Sequence, residues 1–188
     1  RAGTRGACPP EAASGEAVTY RKLNERSNQV AQLIADAGLG FGDHIAILME
    51  NRPEYFEVTW AAQRSGIFYT CINFHFTADE AAYIIDDCDA EVLIISDTYR
   101  DLAAELGDKM PRVRVRLMVG DQIVDGYEPY AATRDRYPAE PIDEELEGTP
   151  MLYSSGTTGR PKGIKYNLPR TPAGAMPQNL LMLTALFG

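Results

Sequence analysis

The sequence predicts an α/β fold, a mostly parallel sheet with helices on both faces. Short apolar runs such as Ile45-Ala46-Ile47-Leu48 and Val92-Leu93-Ile94-Ile95 have the uninterrupted hydrophobicity of strands covered on both sides. Segments with helical periodicity separate these runs, and that alternation describes successive βαβ units. A Thr77-x-x-Glu80 pair standing before Ala81, Ile84, Ile85 and Cys88 marks the clearest helix start.

The elements follow in order. Residues 1–16, rich in Gly, Pro, Ala and Ser, read as an irregular arm. A helix opens at Thr19 as N-cap, carries Leu23, Val30, Leu33, Ile34 and Ala37 on one face, and stops at Gly38. A strand spans His44–Met49. The next helix is expected from Asn51, where Glu54 stands three residues on, and it bears Tyr55, Phe56, Val58 and Trp60. A second strand covers Ile67–Ile72, and the helix capped by Thr77 follows it. Val92–Ile95 is the third strand, and a helix runs from about Thr98 to Leu106. Val113–Val119 alternates apolar residues with Arg114 and Arg116, which suits an edge strand with one wet face. Between Gly120 and Gly148 nine acidic residues stand against two arginines, so a solvated connection with one short helix near Tyr127–Ala132 is expected. Thr149–Tyr153 reads as a last short strand. The implied organisation is an arm at 1–16, an α/β subdomain at 17–148, and a strand, loop and tail of the same domain at 149–188.

Composition excludes several classes of function. A formal net charge of -9 opposes binding to nucleic acid, which needs a basic face to neutralise phosphates. No polybasic cluster offers itself to anionic lipid, and no apolar run has the length of a transmembrane segment. Cys8, Cys71 and Cys88 have unrelated spacings and only His44 and His75 accompany them, so a structural zinc site is not expected. Idle thiols of this kind fit a cytoplasmic protein. His75, between Phe74 and Phe76, is read as a packing residue.

The chemistry lies in Tyr153-Ser154-Ser155-Gly156-Thr157-Thr158-Gly159-Arg160-Pro161-Lys162-Gly163. Its glycines let successive N–H groups turn into one concavity, which an anion requires. Hydroxyls on Ser154, Ser155, Thr157 and Thr158 add donors for phosphate oxygens or ligands for phosphate-bound Mg²⁺. Lys162 adds positive charge, and Pro161 stiffens the loop beside it. On composition alone the same residues also suit a Ser/Gly/Thr surface linker. A Walker A loop is excluded, because Pro161 precedes Lys162 and Gly163 follows it. Gly38, Gly40 and Gly42 precede a strand and so form no dinucleotide fingerprint.

The segment Tyr153–Gly163 resembles the signature of the adenylate-forming superfamily, which includes acyl-CoA synthetases, peptide-synthetase adenylation domains and luciferases. Upstream, Ala17-Val18-Thr19-Tyr20, Gly42–Ile47, Glu50-Asn51-Arg52-Pro53-Glu54, Ala61–Gly66 and Thr77-Ala78-Asp79-Glu80 resemble fatty-acid–CoA ligases in order and spacing. The resemblance covers about residues 16–168 and implies the amino-terminal part of an acyl-CoA synthetase-like large domain. Ile164-Lys165-Tyr166-Asn167 departs from the pattern, since many members carry a histidine after the loop. The segment Asn73–Phe76 departs as well, because a proline and a basic residue are more typical there.

The resemblance implies a fatty-acid–CoA ligase (AMP-forming) that uses ATP, Mg²⁺ and coenzyme A. Ser154, Ser155, Gly156, Thr157, Thr158, Gly159 and Lys162 are then the phosphate-contacting residues, with Lys162 catalytic and no protein-held metal. It also implies that adenine, acyl and CoA contacts lie in later sequence, so this length alone is expected not to turn over. The charge-free apolar stretch Leu180–Phe187 suggests self-association of the chain. The alternatives at this stage are a non-catalytic nucleotide-binding module and an adenylation domain without CoA transfer.

Overall fold

The structure, a computed structural model, describes residues 18–154 and 160–174. The expected arm and the apolar stretch Leu180–Phe187 lie outside the described residues.

Six strands form one sheet: β1 (His44–Leu48), β2 (Phe68–Cys71), β3 (Val92–Ser96), β4 (Val115–Val119), β5 (Glu128–Pro129) and β6 (Thr149–Pro150). Their order is β5-β4-β3-β1-β2-β6, and every pairing is parallel. β1 and β3 are buried along their full length, which is why they read as continuous apolar runs. Alternate residues feed two separate cores. Ile45, Ile47, Ile94 and Leu117 face α1 (Tyr20–Asp36), α2 (Pro53–Arg64) and α5 (Tyr130–Arg134). Ala46, Leu48, Leu93 and Ile95 face α3 (Ala78–Asp87) and α4 (Arg100–Leu106). The expected fold class is the observed one.

Local chemistry sets the helix starts. The Thr19 side chain accepts from Lys22 N at 3.2 Å. At α3 the capping box is complete: Glu80 N donates to Thr77 Oγ1 at 3.4 Å, and Thr77 N donates to Glu80 Oε2 at 2.9 Å. The α2 start differs from expectation. Arg52 is the N-cap without a side-chain cap bond, and Pro53 takes the first helical position, where its missing N–H costs nothing. Asn51 therefore caps nothing.

Three further differences come from long-range packing. β4 is not the outermost strand, because the two residues of β5 pair along it. The segment after Gly120 is more than a solvated connection: Tyr130, Thr133 and Arg134 are buried, and α1 holds the chain beyond them. Asn28 Nδ2 donates to Ala139 O at 2.7 Å and Gln29 Nε2 donates to Tyr137 O at 3.0 Å. Lastly, the expected strand Thr149–Tyr153 is two elements. Thr149 and Pro150 extend the parallel sheet beside Phe68 and Tyr69, Met151 N still donates to Tyr69 O, and Leu152 starts a new hairpin.

Candidate functional site

The hairpin consists of β7 (Leu152–Ser154) and β8 (Lys162–Ile164), an antiparallel pair with Leu152 opposite Ile164, Tyr153 opposite Gly163 and Ser154 opposite Lys162. The two ends of the hydroxyl- and glycine-rich motif are thus the paired arms of a hairpin branching from the β2/β6 side of the sheet. Ser155, Gly156, Thr157, Thr158 and Gly159 lie outside the described residues. Ser154 and Lys162 are the described members of the candidate set, and the register brings them face to face at the mouth of the turn. Ser154 Oγ stands 3.5 Å from the Lys162 carbonyl oxygen. Lys162 is exposed and, among the described residues, has no carboxylate partner. By contrast, Lys109, Arg112 and Arg114 all sit in ion pairs. An exposed lysine with no carboxylate partner among the described residues, set opposite a serine in the hairpin, is an arrangement suited to phosphate.

The stem of the hairpin packs on α3. The Tyr153 hydroxyl donates to Asp87 Oδ2 at 2.6 Å, and burial together with that bond raises the phenol pKa, so it stays a donor. The Tyr83 hydroxyl lies 3.4 Å from Asp87 Oδ1 and 3.3 Å from the carbonyl of Pro161. The Arg160 guanidinium lies over the Tyr83 ring, 5.0 Å from its centroid. Opposite Tyr153, a Cβ on Gly163 would fall 3.0 Å from the tyrosine ring and 2.4 Å from Met151 Cε, so glycine leaves space for the ring to cross the facing strand. After β8, Lys165 Nζ lies 4.9 Å over the ring of Phe68 in β2.

Two clefts flank the hairpin. One, of about 530 Å³, is lined by Asn73, Phe76, Ile84, Met151, Tyr153 and Ser154. The other, of about 500 Å³, is lined by Tyr83, Asp86, Lys109 and Arg160. Glu80 and Pro161 border both, so the second limb of the loop forms a wall between them. Among the described residues no group of three His, Cys, Asp or Glu could hold a metal ion.

Tyr83, Asp87 and Arg160 were not among the candidates. Their sequence signal is a Tyr and an Asp at i and i+4 on one helix face, with no basic residue in the last turn of that helix. His75 is exposed, 4.3 Å from the Phe74 ring, which itself stacks on Tyr99 at 5.4 Å. The two described thiols are poor nucleophiles. Desolvation raises the pKa of Cys71, whose sulfur is 3.0 Å from the Tyr55 hydroxyl, and burial raises that of Cys88 to about 11. No helix among the described residues is long and apolar enough to cross a membrane.

Residues 6–169 match the family of AMP-binding enzymes, and the chain belongs to that family of adenylate-forming ligases. It is 29% identical over 158 residues to a fatty acid–[acyl-carrier-protein] ligase of Streptomyces coeruleorubidus, covering 83% of this chain and 29% of the relative. It is 29% identical over 162 residues to a medium/long-chain-fatty-acid–CoA/3-oxocholest-4-en-26-oate–CoA ligase of Mycobacterium marinum, covering 80% of this chain and 30% of that one. Among solved structures it is similar to an anthranilate–CoA ligase in complex with anthranoyl-AMP, with a TM-score of 0.72 and 26% identity over 80% of this chain and 30% of that one. The chain spans less than a third of the length of these relatives.

Proposed function

We propose that the protein carrying this chain activates a carboxylic acid of the fatty class with ATP and Mg²⁺, then passes the acyl group to coenzyme A. The observation that carries this reading is the register of Ser154 against Lys162 at the two ends of the Ser/Thr/Gly segment, with Lys162 exposed and without a carboxylate partner among the described residues. In the first step a carboxylate oxygen bonds to the α-phosphorus of ATP, the bond to pyrophosphate breaks, and an acyl-adenylate forms. In the second a thiol attacks the acyl carbon and AMP leaves.

This chain's residues act on the first step. Negative charge grows on the departing pyrophosphate, and donors fixed in advance stabilise it without reorganising. Ser154, Ser155, Thr157 and Thr158 supply hydroxyls, Gly156 and Gly159 give backbone access, and Lys162 supplies charge. Magnesium would be held mainly by the nucleotide's phosphates and would neutralise part of their charge, since the described residues offer no acidic cluster for it.

ATP–pyrophosphate exchange, run on the full-length protein with carboxylic acids of different chain length, tests the reading. Exchange that depends on a fatty acid supports it, and ATP binding with no exchange for any acid points to a non-catalytic nucleotide-binding module. The acceptor is a separate matter, because one relative is named as an acyl-carrier-protein ligase. Offering coenzyme A and a phosphopantetheinylated carrier protein side by side identifies the thiol, and adenylate release with neither marks an adenylation domain alone.

A further inference from the structure

α3 reaches both limbs of the loop through one face. Asp87 accepts from Tyr153 on the limb entering the turn, at 2.6 Å. Tyr83, one helical turn earlier, touches the limb leaving it, with its hydroxyl 3.3 Å from Pro161 O and its ring under the Arg160 guanidinium. The same hydroxyl lies 3.4 Å from Asp87, so the two side chains form one unit spanning the stem. α3 is a firm base for such a unit. Its capping box is complete at the start, and Ala81, Ile84 and Ile85 are buried against the sheet.

The acidic end of α3 argues that Asp87 has a task beyond helix stability. A helix C-terminus carries partial negative charge and favours basic residues, yet Asp86 and Asp87 end this helix and its last turn has no base. Arg112 offsets this in part by pairing with Asp86 and Asp89. Asp87 has no cation among the described residues, and its oxygens face the two tyrosyl hydroxyls. A carboxylate kept at an unfavourable helix end and aimed at the hairpin serves the hairpin.

We infer that Asp87, with Tyr83, is a positioning residue of the phosphate-binding loop, setting the spacing of its two limbs and so the aim of its donors toward the nucleotide. This rests on the adenylation reading above. Catalysis by preorganised donors is sensitive to displacements of about 1 Å, which can cost on the order of a hundredfold in rate. Slackening the stem therefore registers in nucleotide handling before it registers in folding.

The test compares Asp87→Ala, Asp87→Asn, Tyr153→Phe and the Asp87→Ala/Tyr153→Phe pair in the full-length protein. Pyrophosphate exchange gives kcat and the KM for ATP, thermal unfolding gives stability, and hydrogen–deuterium exchange follows peptides covering 150–165. The expected result for Asp87→Ala is about a tenfold loss in kcat/KM for ATP, the scale of one lost charge-assisted hydrogen bond. Asp87→Asn, whose amide oxygen still accepts from Tyr153, recovers most of the activity. Tyr153→Phe matches Asp87→Ala, and the double variant is no worse than either. A lowered melting temperature with kcat/KM within twofold of the parent overturns the inference, as do additive losses in the double variant. If the parent shows no exchange with any acid, the adenylation reading fails by itself, and hydrogen exchange decides the positioning claim. Faster exchange at 150–165 in Asp87→Ala, with β1 and β3 unchanged, supports it, and equal exchange in all variants overturns it.

Discussion

Arg134 Nη1 donates to Glu57 Oε2 at 2.8 Å, and both side chains are buried. Tyr130 donates to the same oxygen at 3.0 Å, and Arg26 donates to Oε1 at 2.9 Å. One carboxylate thus ties α2 to both α1 and α5, and it anchors the acidic segment that follows β5. Burial, with Glu57 alongside, holds the Tyr130 phenol pKa well above its ordinary value, so this hydroxyl stays a donor through the physiological range.

Removing the carboxylate leaves buried Arg134 with the exposed Asp135 as its carboxylate partner and takes the acceptor from the buried Tyr130 hydroxyl. Glu57→Ala should therefore destabilise the fold by about 3–5 kcal/mol, far beyond a surface pair. Chemical denaturation of parent and variant measures it. Restoring apolar shape on both sides, as in Glu57→Leu with Arg134→Met, should recover much of the loss. A Glu57→Ala cost under about 1 kcal/mol would mean the network is bystander chemistry.

Glu57 also marks where the sequence stopped being readable. A glutamate in a helix that carries Val58, Ala61 and Ala62 reads as solvent-facing, and only the partners from α1 and α5 make it a core residue. The start of α3 was legible because both halves of its capping box lie within four residues. The two-residue strand β5 was not, since nothing local separates Glu128–Pro129 from loop and the neighbouring strand makes it a strand; Thr149–Pro150 was read as strand, but the break at Met151 that divides it from the hairpin was not. The site divides the same way. Residue types and spacing announced the loop around Ser154 and Lys162, whereas the clamp pairs Tyr153 with Asp87 across 66 positions. No short-range pattern encodes that distance.

Lys162→Ala in the full-length protein should lower kcat for pyrophosphate exchange by roughly a hundredfold or more while the KM for the acid moves little. On the proposed reading the lysine meets charge that grows as pyrophosphate leaves, which would place its contribution in the transition state. Steady-state exchange at varied acid and ATP concentrations separates the two parameters. An unchanged kcat would take Lys162 out of the chemistry.

Two glycines near the hairpin should differ in kind. A Cβ at Gly148 would lie 2.3 Å from Ala62 O and 2.5 Å from Ile67 O, both backbone atoms, while its own N–H is tied to Gln63 O. Gly148→Ala should cost about 3 kcal/mol, because no side chain there can move aside. At Gly163 the first obstacle is Met151 Cε, the far end of a flexible side chain, and the second is the Tyr153 ring. Gly163→Ala should cost only about 1 kcal/mol in stability yet lower adenylation by shifting Tyr153 from Asp87. Equal destabilisation with equal activity in the two variants would contradict the packing described.

His44 contributes one distinct pH dependence to the fold. Its ring is buried, stacks on Phe68 with centroids 4.6 Å apart, and has no hydrogen-bond partner on either nitrogen among the described residues. Burial, and then the nearby Lys165 ammonium, lowers its pKa from 6.5 to about 4, while Asp89 and Asp43 pull weakly the other way. Below pH 6.5 the unfolded chain takes up a proton that the folded chain refuses, so the unfolded state binds more protons. The stability due to a neutral His44 is therefore complete above pH 6.5, falls as pH drops toward 4, and changes no further below both values. The size of the effect is roughly 3 kcal/mol. His44→Phe keeps the stack and removes the titration, so the difference in unfolding free energy between parent and variant should shift by that amount between pH 7 and pH 4. Carboxylates titrate in both proteins and cancel in the difference. Parallel stability curves across that window would show that His44 protonates as readily folded as unfolded, and that the buried stack does not exclude charge.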